Sequence, residues 1–308
     1  MSILHLSWRQ LMAVLVLALA LGGASAAQAQ DSAPVVVESN GQAAIDPGTD
    51  TVNADDYYLY LSAPAGATVG GVAYADEDIL RYDASGGGVW VKVFDGTNAG
   101  LPASADIDAL AYQPVELGSS YYMSFDTPVN VPGLGLVDDS DVVAYTTILL
   151  QGGTWTLYFD GSAHGLAADS EDIDALEKVA ANEFAFSTTG AVTVPGYYQP
   201  ELTAKDEDVL VYNGPSGKFI MNFAGALNGL KGKNNITGTA STYSGNADLH
   251  FYSVKRQGTF VSSQSSLTAA PNDIVVREQT IVVDRYTLFF DASAAGFPKV
   301  DAFDVVHK

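Results

Sequence analysis

The feature that most constrains this chain is a repeat of about 65 residues. A phenylalanine that ends an aromatic run is followed, six residues later, by a glycine and then a large apolar residue. The chain supplies Phe94 with Gly100-Leu101, Phe159 with Gly165-Leu166, Phe223 with Gly229-Leu230 and Phe290 with Gly296-Phe297. The phenylalanines lie 65, 64 and 67 residues apart. Such a fixed period is the signature of a fold assembled from copies of one supersecondary unit.

Between these segments stands a second, related half-unit. It begins at Tyr57, Tyr121 and Asn182, with a degenerate copy from Thr259. Each half-unit holds two strand-like runs. The first is an aromatic comb of period two, as in Trp90-x-Lys92-x-Phe94, Tyr121-x-Met123-x-Phe125 and Trp155-x-Leu157-x-Phe159. That period places the comb on one face of a strand. The second run opens with an acid and continues apolar, as in Asp78-Ile79-Leu80 and Asp208-Val209-Leu210. Gly, Pro, Asn, Asp and Ser punctuate the joins, as turns require. No stretch carries helical periodicity with caps. The chain therefore reads as all-β, with about sixteen strands.

The opposite strand faces are also apolar, through residues such as Val91, Tyr60, Ile79, Val209 and Val305. A half-solvated sheet would show polar alternation there. Four-stranded sheets that need a neighbour on both sides are accommodated by radial stacking, so four units predict a four-bladed β-propeller. A β-solenoid or tandem β-sandwiches are the alternative architectures. The predicted organisation is a signal peptide over 1–29, a leader or linker over 30–55, and a β-repeat domain over 56–308 with units over about 56–118, 119–180, 181–256 and 257–308. The run Pro34-Val35-Val36-Val37 is a candidate extra edge strand that could close the ring.

Residues 1–29 read as a secretory signal peptide. Arg9 precedes the apolar run Leu11–Leu21, and small-residue sites follow at Ala24-Ser25-Ala26 and Ala27-Gln28-Ala29. The apolar run is too short to span a bilayer, which takes about 20 residues. The expected location is secreted or periplasmic. The net charge of −22 argues against nucleic acid as a partner, because phosphates reward the opposite sign. The absence of cysteine from the sequence removes disulfides and thiolate chemistry.

The pattern Phe159-Asp160-Gly161-Ser162, Gly165-Leu166 and Asp172-Ile173-Asp174-Ala175-Leu176 resembles a β-repeat of secreted bacterial proteins without an established activity. The copy at Phe94–Leu110 matches nearly as well. The resemblance implies export and repetition, and brings no chemistry with it.

Acids recur in pairs before the second strand of a half-unit: Asp76 and Asp78, Asp106 and Asp108, Asp139 and Asp141, Asp172 and Asp174, Asp206 and Asp208. Residues i and i+2 of an extended chain point to the same side, so each pair presents two carboxylates together. Calcium, which takes six to eight oxygens, is the candidate cofactor. Asp95, Asp126, Asp160 and loop carbonyls are candidates to complete its shell. The competing reading is structural, since aspartate bonds nearby backbone amides at turns and strand ends.

No nucleophile elbow, phosphate loop or dinucleotide fingerprint appears, and the histidines occupy non-equivalent positions. Two features break the repeat. One is the loop Gly196–Glu201 with Tyr197 and Tyr198. The other is an apparent insertion over Lys231–Asn246 with Tyr243, the sequon Asn235-Ile236-Thr237, and a basic cluster of Lys218, Lys231 and Lys233. Tyr197, Tyr198 and Tyr243 are the candidate ligand-binding residues, since aromatic faces stack on sugars and apolar groups. The function expected is a non-enzymatic binding, adhesion or cell-envelope module with a glycan or protein partner. The alternative is a carbohydrate-active enzyme that uses a carboxylate pair.

Overall fold

The computed structural model describes residues 52–308, except 150, 151, 245, 246 and 272. The predicted signal peptide, Pro34–Val37 and nearly all of the leader or linker lie outside the described residues. The described residues form a four-bladed β-propeller.

Blade two shows the plan. Its strands run from the axis outward as Ile107–Val115, Gly118–Phe125, Val142–Ile148 and Gly152–Phe159, each antiparallel to the next. Blade three repeats it with Ile173–Ala180, Glu183–Thr188, Val209–Asn213 and Lys218–Phe223. Blade four uses Ile236–Ser244, Ala247–Val254, Asp273–Gln279 and Asp284–Asp291. In blade one the outer three strands are Tyr57–Ser62, Ile79–Asp83 and Val89–Phe94, while the innermost is the C-terminal strand Ala302–His307. The ring is therefore closed by the C-terminal segment. The innermost strands pack against their neighbours around one axis.

The sequence repeat and the blade are out of phase. Residues 119–180 supply three strands of blade two and the innermost strand of blade three. The stretch Lys231–Asn246 is no insertion, because it contains the innermost strand of blade four. Its Thr and Ser residues obscure that role in the sequence. Thr237 and Thr239 are nevertheless buried beside the axis.

Four apolar clusters fill the four gaps between neighbouring blades. Phe94, Tyr121 and Met123 join blades one and two; Phe159, Phe184 and Phe186 join two and three. Phe223, Tyr252 and Phe260 join three and four, and Tyr57, Phe251 and Phe289 complete the ring. The apolar character of both strand faces thus has its cause in blade-on-blade packing, which removes exactly the surface that drives folding.

Antiparallel alternation sends two kinds of long connection to one end of the propeller. One kind follows the second strand of each blade and contains a small hairpin: Ala67–Tyr74, Val129–Val137, Val192–Ala204 and Gly258–Ala269. The other kind joins each outermost strand to the next blade and carries the repeated Phe…Gly-Leu spacing. The opposite end carries short turns.

Candidate metal centre

All five predicted acid pairs fall at the hairpin-bearing end, and the structure divides them into two kinds. The pairs before the third strand act as clasps. Asp78 accepts from the amides of Ala75 (2.9 Å) and Gly96 (3.0 Å). Asp141 accepts from Asp138 (3.0 Å) and Gly161 (2.9 Å), and Asp208 from Lys205 (3.0 Å) and Gly225 (2.9 Å). Each carboxylate closes its own turn and ties down the loop that leaves the same blade. The first acid of each pair works through its backbone. The carbonyls of Asp76, Asp139 and Asp206 accept from Ile107, Ile173 and Ile236, the first residues of the next innermost strands. These three pairs hold blade to blade, as the turn-forming reading of aspartate anticipates.

The pairs before the innermost strands have no such amides on the corresponding oxygens. Asp106 Oδ1, Asp108 Oδ1, Asp172 Oδ1 and Asp174 Oδ1 are enclosed and have no hydrogen-bond partner. The strand register shows which positions surround the axis. Ala109, Ala175, Gly238 and Ala302 pair with Ser124, Ser187, Ser253 and Ser62. The preceding residues, Asp108, Asp174, Thr237 and Asp301, are therefore equivalent in the four blades. Two positions earlier, Asp106, Asp172 and Asn235 are equivalent in blades two to four.

Blade four breaks the symmetry with neutral residues. Asn235 is buried, and its Nδ2 donates to Asp174 Oδ2. Asn235 Oδ1 has no partner. This burial leaves no room for a glycan on the predicted sequon.

Among the described residues, Asp108, Asp126 and Asp172 converge, with one carboxylate oxygen from each lying within 4.8 Å of the others. Asp126 is exposed, while Asp108 and Asp172 are buried. The backbone fixes all three. Asp108 and Asp172 stand at the starts of adjacent innermost strands, and the Asp126 amide donates to the Asp106 carbonyl (3.1 Å).

Electrostatically the centre is crowded with like charge. Burial, then the neighbouring carboxylates Asp172, Asp174, Asp301 and Asp126, holds Asp108 well above the usual range. Burial and Asp174 push Asp172 up to about 9. Burial raises Asp106 to about 7 and Asp174 to about 8, the latter against the opposing pull of Asn235 and Lys255. Lys299, 3.1 Å from Asp301, and Lys255 are the cations that temper this group: Lys299 acts on Asp301 and Asp106, and Lys255 on Asp174 and Asp301.

The other expected shell residues lie elsewhere. Asp95 and Asp160 cap their own loops through the amides of Asn98 (2.8 Å) and Ala163 (3.0 Å). Tyr197 and Tyr198 form an exposed edge-to-face pair, with centroids 4.9 Å apart, on the hairpin of blade three. Tyr243 sits at the far end of its strand, on the short-turn end, so the three tyrosines do not form one site. Lys218 likewise begins a strand at the end opposite Lys231 and Lys233, which disperses the expected basic cluster. Sequence reading passed over Asn235, Asp301 and the two lysines as members of the centre. Aligning Asn235-Ile236-Thr237 with Asp172-Ile173-Asp174 is the signal that would have found the first.

Among the described residues no helix is long and apolar enough to cross a membrane. No protein-family profile matches the chain, and no curated protein matches it in sequence. Among solved structures it is similar to a chain of the nidogen/laminin complex, at 7% identity and a TM-score of 0.33, covering 81% of this chain and 98% of that one. It is also similar to the extracellular domain of a one component system from B. thetaiotaomicron, at 12% identity and a TM-score of 0.30, covering 69% of this chain and 31% of that one.

Proposed function

We propose that the chain is an exported, non-enzymatic binding module that engages a glycan or protein partner through the hairpin-bearing end. The observation that carries this reading is a run of exposed apolar side chains along that end. Leu136 lies on the hairpin of blade two, Tyr197 and Tyr198 on that of blade three, Leu227 on the loop from blade three to four, and Val261 on the hairpin of blade four. These positions belong to consecutive blades. The Leu227 loop abuts the next hairpin, since a side chain at Gly229 would meet Val261. The opposite end also exposes apolar residues, at Val89 on blade one, at Leu117, Ile148 and Leu149 on blade two, and at Tyr243, Ile281 and Val282 on blade four. What sets the hairpin-bearing end apart is that its exposed residues lie on long loops carried by a rigid scaffold, where binding usually resides.

The test is binding of the labelled chain to panels of immobilised glycans and purified extracellular proteins, beside a panel of chromogenic glycosides. Tyr198→Ala and Leu227→Ser are expected to weaken binding at least tenfold without lowering the melting midpoint. Leu117→Ser, at the other end, is expected to leave it unchanged. Equal loss from both ends refutes the assignment of the face. Turnover abolished by a single Asp or Glu substitution refutes the non-enzymatic reading.

A further inference from the structure

The axial acids pose a problem that the clasp acids do not. Asp78, Asp141 and Asp208 are each bonded by two backbone amides, so their buried oxygens have donors. Asp108 and Asp172 are buried with an orphaned oxygen apiece, and the charged groups nearest Asp108 are other carboxylates. Leaving a buried acceptor unsatisfied costs about 1–3 kcal/mol, and more when it is charged. Two arrangements resolve this: protons shared among the carboxyls, or a bound cation.

We propose that Asp108, Asp126 and Asp172 hold one hard divalent cation of the calcium class at the mouth of the propeller axis.

Three observations support a cation. Oxygens on opposite sides of a calcium ion lie about 4.6–5.2 Å apart, given ligand distances of 2.3–2.6 Å, and one oxygen from each of the three carboxylates lies within 4.8 Å of the others. The orphaned oxygens are a second pointer: Asp108 and Asp172 are buried, yet each keeps an enclosed oxygen with no donor. Such an oxygen is a normal ligand for calcium. Finally, Asp126 is exposed and gives the ion an entry from solvent.

The donor set is all oxygen, which selects hard cations over zinc or copper. Ligands drawn from the second and innermost strands of blade two and the innermost strand of blade three make the ion a bridge between blades. Of the ten aspartates the sequence offers as calcium ligands, this ion takes Asp108 and Asp172, with the clasp pairs excluded from it.

The full chain is tested by calorimetric titration with calcium and magnesium, and by thermal melts in calcium and in chelator. One calcium per chain is expected, with the midpoint raised by roughly 5 °C at a hundredfold excess over Kd. Asp172→Asn and Asp108→Asn are expected to abolish the calcium response. In chelator the same variants should melt no lower than the parent, because each removes buried like-charge repulsion; this crossover also shows that they fold. Asp206→Asn, at a clasp pair, should retain the response. An unchanged parental midpoint overturns the proposal in favour of shared protons. Loss of the response in Asp206→Asn as well as in Asp172→Asn overturns it in favour of diffuse screening of the acidic surface.

Discussion

In blades one to three the glycine two residues after the repeat's phenylalanine is required by what lies against it. A side chain on Gly96, Gly161 or Gly225 would collide with the backbone carbonyl of Glu77, Ser140 or Glu207, the residue just before the clasping aspartate. The close approach lets the glycine amide reach that aspartate. The second glycine of the repeat has a different reason. Gly100, Gly165, Gly229 and Gly296 all adopt positive φ, between 78° and 95°, so that the following residue can turn inward. Leu101, Leu166, Leu230 and Phe297 are accordingly buried. Their amides bond to Gly96, Gly161, Gly225 and Ala292 at 2.8–3.0 Å. Gly161→Ala is expected to cost about 1–3 kcal/mol by overpacking, with loss of the clasp. Gly232→Ala, with open space around it, should stay within about 0.5 kcal/mol of the parent. Chemical denaturation of the two variants decides this, and equal stabilities would remove the steric reason for the repeat's glycine.

At the scale of elements, the innermost strand of blade one is the least local piece of the fold. Ala302–His307 pairs residue for residue with Tyr57–Ser62, nearly the whole described chain away. It also buries Phe303 in the apolar cluster between blades four and one. A chain ending at Asp301 would leave that edge unpaired and one side of the axis open. Such a chain is expected to lose its cooperative melt, and a synthetic peptide covering 300–308 should restore it. A truncated chain that melts cooperatively within a few degrees of the parent would show that three strands suffice for the first blade. The same element marks the boundary of what was legible in the sequence. The aromatic combs and the glycine spacing are local, so Phe94, Phe159, Phe223 and Phe290 revealed strands, repeat and blade number. The phase of the repeat is not local, because a tandem repeat looks the same wherever it is cut. Only packing at the axis selects the innermost strand, and it selects small residues there: Ala109, Ala175, Gly238 and Ala302. The acid pairs were visible for a similar reason, while their division into clasps and axial pairs depends on which loop amides fold back on them.

For the molecule as a whole, burial of acids sets a pH dependence of unusual sign. Asp304 is the clearest case, as it lies away from the proposed ion. Burial pushes it up to about 8 although the amides of Tyr112 and Val305, each at 2.7 Å, bond to it. An unfolded chain ionises the same group near 3.8. Between these values the folded state binds the extra proton, so the contribution of Asp304 is fully present below pH 4, declines as pH rises and is gone above 8. The slope from one such group is at most about 1.4 kcal/mol per pH unit. Glu207, raised to about 7 chiefly by burial, acts in the same direction. The net charge of −22 reinforces the trend, because deprotonation adds to an existing excess of negative charge. In chelator the melting midpoint should therefore fall steadily from pH 5 to pH 8, where acid-labile proteins held by ionised carboxylates gain stability. Asp304→Asn removes one titrating group, and should flatten part of that slope while lowering the midpoint at pH 5 through the loss of one of its two amide bonds. A midpoint that rises between pH 5 and pH 8 would mean that these carboxylates are ionised inside the fold, with donors or cations other than those the structure places around them.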